Sequence, residues 1–119
     1  MIMNIISKEF QFSASHILNG LPEGHPCGKL HGHNYVVTVF LKGTPNEKGF
    51  VQDYRELEPI KRYIDETLDH RHLNDVFSFQ TSVENMSKHL FEMFKPQFPL
   101  LCAVEMSETT KTKCRYEQD

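Results

Sequence analysis

A chain of 119 residues has the length for one modest core and none to spare for two lobes with a substrate cleft between them. Thirteen Lys and Arg against sixteen Asp and Glu give a formal net charge of -3, which excludes a global electrostatic pull towards nucleic acid or an anionic membrane surface. No apolar run approaches the roughly 20 residues of a bilayer span, and Met1 to Phe12 lacks the charged start and cleavage site of a signal peptide, so a cytoplasmic protein without a membrane role is expected.

The chain opens with strand periodicity. From Ile2 to His16 the even positions Ile2, Asn4, Ile6, Lys8, Phe10, Phe12, Ala14 and His16 form a mostly apolar face that alternates with Ser7, Glu9, Gln11, Ser13 and Ser15, so His16 ends an inward stripe. From His31 to Leu41 the odd positions His31, His33, Tyr35, Val37, Val39 and Leu41 form a second stripe, which His31 and His33 begin. Ile17 to Leu30 is broken by Asn19-Gly20, Pro22, Gly24, Pro26 and Gly28 and reads as a long loop of the kind that carries function. Antiparallel pairing of the flanking strands brings His16, His31 and His33 to one sheet end.

Beyond a turn around Gly43 to Asn46, Asp53-x-x-Glu56 reads as a capping box, followed by Leu57, Ile60, Ile64 and Leu68 at helical spacing. Pro59 blurs where that helix starts. Thr81-Ser82-Val83-Glu84 opens a second helix with Met86, Leu90, Met93 and Phe94 on one face, and Pro96 and Pro99 mark its end. Alternation returns with Leu100, Cys102, Val104, Met106 and Glu108, and Cys114 and Tyr116 predict a last strand beyond the Lys111 to Lys113 turn. The expected fold is a single α+β domain over residues 1–119, order β-β-α-α-β-β, with two helices on one face of a four-stranded antiparallel sheet. Its open edges predict pairing with further copies of the chain.

The chemistry concentrates in histidine. Each of the seven histidines has an ordinary reading as a satisfied core or surface group. Three that converge on one sheet end beside a Gly/Pro loop instead fit three nitrogen ligands of a catalytic zinc site with an open fourth position. His25 lies in the loop, out of strand register. Cys27, in Cys27-x-x-x-His31-x-His33, has two open readings: a fourth ligand that closes a structural site, or a thiolate just outside the ligands that acts as base or nucleophile. Cys102 reads as a small buried hydrophobe and Cys114 shows no partner; in a reducing compartment all three cysteines stay thiols. Asp69-His70 is either a solvated helix terminus or a carboxylate–imidazole pair for proton transfer. Glu108 points inward by parity, where a carboxylate accepts two N–H donors from a planar edge such as a pterin or guanine.

The segments Phe12-Ser13-Ala14-Ser15-His16, Cys27-Gly28-Lys29-Leu30-His31-Gly32-His33-Asn34, Leu68-Asp69-His70-Arg71-His72-Leu73-Asn74 and Glu108-Thr109 together resemble the 6-pyruvoyltetrahydropterin synthase superfamily over essentially the whole chain. The three-residue gap between Cys27 and His31 resembles its carboxytetrahydropterin branch, which feeds 7-deazaguanine and queuosine synthesis. The resemblance implies a lyase that converts 7,8-dihydroneopterin triphosphate to 6-carboxy-5,6,7,8-tetrahydropterin, acetaldehyde and triphosphate. It implies Zn2+ on His16, His31 and His33, Cys27 as base, Asp69 and His70 as a proton relay, and Glu108 as anchor of the pterin ring. Lys29 and Ser82 are further candidate substrate contacts. The implied fold is the tunnelling fold, a barrel of three sheets stacked as a dimer of trimers with sites between subunits.

The chain departs from that pattern where Ile17 follows the first histidine in place of a common Arg, and where the start of the second helix lacks a proline; Arg71 follows the Asp-His pair at a position that varies. Two other readings stay open: the biopterin branch, which leaves a pyruvoyl side chain, and a noncatalytic module closed by Cys27 and the three histidines. A nucleic-acid-binding zinc module fails on charge and on the absence of a basic or aromatic stripe.

Overall fold

Period-2 alternation and turn chemistry settle the first half of the chain. The computed structural model describes residues 3–118; Ile2, with which the expected first strand opens, lies outside them. Strands β1 (Asn4–His16) and β2 (His31–Gly43) pair antiparallel along their whole length, from Asn4 opposite Gly43 to His16 opposite His31. Phe10, Phe12, Ala14 and His16 from one strand, and Tyr35, Val37, Val39 and Leu41 from the other, are buried on a single face. The alternating stripes of the sequence are therefore the core side of the sheet.

The helical layer covers that face. Asp53 and Glu56 form the expected capping box, which satisfies backbone donors at the start of a tight turn over Tyr54–Leu57. Pro59 falls in the first turn of α1 (Glu58–Tyr63), where its missing N–H is not needed. The last turn, Ile64–Leu68, widens until the Asp69 N–H reaches the Ile64 carbonyl, 2.9 Å away and five residues back. Leu57, Ile60, Ile64 and Leu68 are fully buried, as their spacing predicts.

The four-stranded antiparallel sheet expected from the sequence is corrected here: among the described residues the sheet has five strands, ordered β3-β1-β2-β4-β5, and is mixed. The addition is β3 (Arg71–His72), which runs parallel to β1 with Ala14 opposite Arg71 and Ser15 opposite His72. Two residues are too short to show alternation. They are placed by the widened turn before them and by His70, which adopts a left-handed φ of 59° and donates its N–H to the Ser13 carbonyl at 2.6 Å. A third short helix, α2 (Leu73–Val76), follows at once and buries Leu73.

Helix α3 (Val83–Phe94) starts at Ser82, whose hydroxyl accepts the Asn85 N–H. Met86, Leu90 and Phe94 are buried as expected, but Met93 is 39% exposed. The buried arc also takes in Ser87 and Phe91 and centres between Leu90 and Phe94, which puts Met93 at its rim. Strands β4 (Leu101–Thr109) and β5 (Thr112–Glu117) complete the sheet. Pairing slips where Phe40 faces Ala103 and Leu41 faces Leu101, so Cys102 is an extra, bulged residue. The bulge turns Leu101 into the core, leaves Leu100 exposed and Cys102 only half-buried, against the alternation expected from Leu100. Val104 and Met106 keep the inward parity that Glu108 inherits.

Between the helices, His89 packs on Phe77 (ring centroids 4.9 Å apart) and Phe79 (5.4 Å), with its Nε2 3.4 Å from the Tyr63 hydroxyl. Burial lowers the pKa of this imidazole below 6.5, and Glu92 offsets part of the effect. The unfolded chain takes up that proton at higher pH than the folded one, so stability is lost as pH falls through the unfolded value. His89→Phe is expected to shrink the drop in urea midpoint between pH 7 and pH 5, and an unchanged drop would show that His89 carries no acid sensitivity.

Candidate metal centre and active site

The site grows from the β1–β2 register. His16 and His31 are directly opposed, and His33 stands two residues along on the same face. Their ring centroids lie 4.6, 5.2 and 4.8 Å apart, and one ligand nitrogen from each falls within 4.8 Å of the others. The group gathered at this point is His16, His31 and His33; Cys27 is not part of it. Among the described residues the group consists of three imidazoles, a donor set that suits a metal with an open position.

The tautomers are fixed from behind. His16 is fully buried, and its Nδ1 donates to the Thr81 carbonyl at 2.9 Å, with the Thr81 hydroxyl at 3.2 Å. His31 Nδ1 donates to the Lys29 carbonyl at 2.6 Å. A carbonyl only accepts, so each Nδ1 holds the proton and each Nε2 presents a lone pair. Nε2 of His16 is buried without a hydrogen-bond partner, which is costly unless something else occupies its lone pair. Burial and the neighbouring imidazoles lower the pKa of His16, against the Thr81 carbonyl and Glu108, which raise it. Burial likewise lowers His33, with Glu108 acting against it. Neutral imidazole is the form that binds a cation, so the donor set fits a divalent metal.

Glu108 enters from β4 as its parity predicts. Its carboxylate lies 3.4 Å from His33 Nε2 and 3.9 Å from His16 Nε2, and its side chain is 30% exposed, at the lip of the cluster. Tyr35 lies beneath, edge-on to His33 and His16, with its hydroxyl buried and unpartnered. Burial, with the Glu108 charge in second place, pushes that phenol far above its ordinary value.

Asp69 and His70 are joined to each other, His70 Nδ1 lying 2.9 Å from Asp69 Oδ2. The Asp69 carboxylate also accepts the Ser13 N–H at 2.9 Å, the largest cause of its lowered pKa. The pair thus stands at the outer edge of β1, with the His70 side chain 83% exposed. Cys27 is half-buried in a tight turn over Pro26–Gly28, which His25 caps by accepting the Cys27 N–H. Lys29 is exposed, and Ser82 spends its hydroxyl on capping α3. Sequence reading missed Thr81 as the group behind His16. It also missed Asn74 and Gln80, which bind the loop after His16. A polar pair before a helix cap was the available signal, and capping alone accounts for it.

A tunnelling-fold sheet with three imidazoles at one strand end defines the class, and sequence comparison agrees. The profile of the family described as 6-pyruvoyl tetrahydropterin synthase matches residues 5–119. The chain belongs to that family. It is 35% identical to the 6-carboxy-5,6,7,8-tetrahydropterin synthase of Synechocystis over 96% of its own length and 93% of that protein's. It is 33% identical to the 6-pyruvoyl tetrahydrobiopterin synthase of Dictyostelium discoideum, over 88% of this chain and 89% of the relative. The solved structure of the Caenorhabditis elegans 6-pyruvoyl tetrahydropterin synthase superposes with a TM-score of 0.87 at 28% identity, covering 100% of this chain and 98% of that one. No helix among the described residues is long and apolar enough to cross a membrane.

Elemental analysis of purified protein tests the ligand set. His16→Ala is expected to lose bound divalent metal and Cys27→Ser to retain it; equal loss in both would make Cys27 a fourth ligand.

Proposed function

We propose that the chain converts 7,8-dihydroneopterin triphosphate and water to 6-carboxy-5,6,7,8-tetrahydropterin, acetaldehyde and inorganic triphosphate, as a cytoplasmic lyase that feeds 7-deazaguanine synthesis. One observation carries this reading: the buried, unpartnered Nε2 of His16 within a cluster of three imidazoles, with the Glu108 carboxylate beside it. A zinc ion held by His16, His31 and His33 would supply Lewis acidity to the side-chain oxygens of the substrate. Likeness to the Synechocystis protein over nearly the whole of both chains supports the carboxy branch, as does the short gap from Cys27 to His31.

The residues divide the work. Glu108, at the lip of the cluster, is proposed to orient the pterin by accepting paired N–H donors from its amidine-like edge. Cys27 is the base that removes the carbon-bound proton next to the ring, since a thiolate is a soft, weakly hydrated acceptor suited to that task. Asp69 holds the proton of His70 on Nδ1, leaving Nε2 as the nitrogen that accepts a proton and passes it on. Lys29 is proposed for the triphosphate, and Ser82 for a contact through the lone pair its cap leaves over. Asp69 and His70 stand at a sheet edge with His70 in solvent, which supports sites completed by a neighbouring copy in a dimer of trimers.

Product analysis on 7,8-dihydroneopterin triphosphate tests this. Acetaldehyde and the 6-carboxy product are expected from the metal-loaded protein. Both should be lost on chelation and in Cys27→Ala, which removes the proposed base. A pyruvoyl product would assign the biopterin branch instead, and the absence of turnover in the metal-loaded protein would end the catalytic reading. A second measurement concerns sharing: Cys27→Ala and His70→Ala, each inactive alone, are expected to regain part of the activity when unfolded and refolded together, because one class of mixed site holds both intact groups. No recovery would place Cys27 and His70 in the same subunit.

A further inference from the structure

Pairing between β1 and β2 ends at His16 and His31, yet the next three residues keep bonding their backbone, Ile17 and Asn19 through both N–H and carbonyl and Leu18 through its N–H. The Asn74 carboxamide accepts the Ile17 N–H at 2.8 Å and donates to the Ile17 carbonyl at 2.9 Å. The Gln80 carboxamide does the same for Asn19, at 3.0 and 2.8 Å. A carboxamide carries a donor and an acceptor at the spacing of a peptide group, so each side chain stands in for one residue of a missing neighbour strand. An extended segment turns the polar groups of alternate residues to one edge and those of the residue between to the other. Leu18 faces the opposite edge, where its N–H donates to the Cys27 carbonyl at 2.9 Å.

Both clamps stand on rigid ground. Asn74 sits in α2 next to the fully buried Leu73. The Gln80 carbonyl accepts from Asn85 in the first turn of α3 at 3.0 Å, and the next residue is Thr81, which holds His16. Position therefore passes from α2 and α3 through two amides to Leu18, and from Leu18 to Cys27. His25 restrains Cys27 locally, through the turn it caps, and that turn is otherwise part of a loop broken by Gly and Pro.

We propose that Asn74 and Gln80 are positioning residues that fix Cys27 relative to the three imidazoles by holding Ile17 and Asn19 as a side-chain-paired extension of β1. The catalytic consequence rests on the role proposed above for Cys27; the mechanical one does not.

Asn74→Asp and Gln80→Glu keep size and the acceptor for each N–H but place a carboxylate oxygen against each carbonyl. Gln80→Met removes both bonds at a half-buried surface position and serves where the charged pair fails to fold. The first readout is the rate of Cys27 alkylation by iodoacetamide, read by peptide mass spectrometry with Cys102 and Cys114 as internal references. The others are metal content and the split between kcat and KM. The expected result is a several-fold change in Cys27 alkylation with both reference thiols and metal content unchanged, and a kcat lowered about tenfold at nearly constant KM. An unchanged Cys27 rate overturns the proposal. So does an equal change at all three cysteines, which would mean general loosening. If the wild-type protein turns over no pterin, the functional reading fails and the alkylation arm still decides the clamp.

Discussion

The antiparallel register of β1 on β2 is the constraint on which the remaining structure depends. With His16 opposite His31 and His33 two residues along, three imidazoles meet at one strand end. The same register puts Phe10, Phe12, Val37, Val39 and Leu41 beneath the helices. A slip of one residue would send one strand's side chains to the other face and dismantle core and site together. The hydrophobic effect that fixes the register thereby fixes which three histidines meet, and it offsets the cost of burying the unpaired Nε2 of His16. What remains is to set their tautomers, and that falls to carbonyls outside the sheet pairing, Thr81 for His16 and Lys29 for His31.

Much of this was legible from the chain because strong periodicity and strong burial coincide. Alternation gave β1 and β2, their pairing gave the histidine cluster, and Asp53-x-x-Glu56 gave the entrance to the first helix. The parts that were not legible are set by relations between distant residues. Strand β3 has two residues and no pattern; it exists because the widened turn at Ile64–Leu68 delivers Asp69 and His70 to the Ser13 backbone. The bulge at Cys102 reverses the expected parity of Leu100, since pairing with Leu41 in a buried register favours Leu101. Asn74 and Gln80 bond to backbone 57 and 61 residues away, which no local spacing encodes.

The two faces of the sheet carry different chemistry. The helix-covered face holds the imidazoles, Tyr35 and Glu108, and burial there lowers the pKa of His16 and His33, which favours their neutral form. The other face presents Glu9, Ser13, Ser15, Asn34, Thr38, Glu105 and Ser107, and its Ser13 and Asn34 side chains bond across the strands at 2.7 Å. A sheet polar on one side and apolar on the other can line a hydrated interior without exposing its core. Its edges are the unsolved part of a single copy: β5 has an outer row of backbone groups, and β3 covers only the end of β1. Lys113 and Arg115 on β5, paired with Glu105 and Glu117, charge one of those edges.

Asp69 and His70 tie the sheet edge to the strand that carries His16. The Asp69 carboxylate spends one oxygen on the Ser13 N–H and the other on His70, so its orientation is set by the strand that carries His16. A left-handed φ of 59° at His70 is an uncommon backbone state for a residue with a side chain. It is tolerated because the His70 N–H bonds to Ser13 and the next two residues pair with β1. The strained residue carries a solvent-facing imidazole with a fixed tautomer. Such an arrangement does nothing for the core of the copy that bears it. Under the function proposed above, that imidazole is a proton carrier presented outward from the sheet edge, where a neighbouring copy closing the edge would receive it.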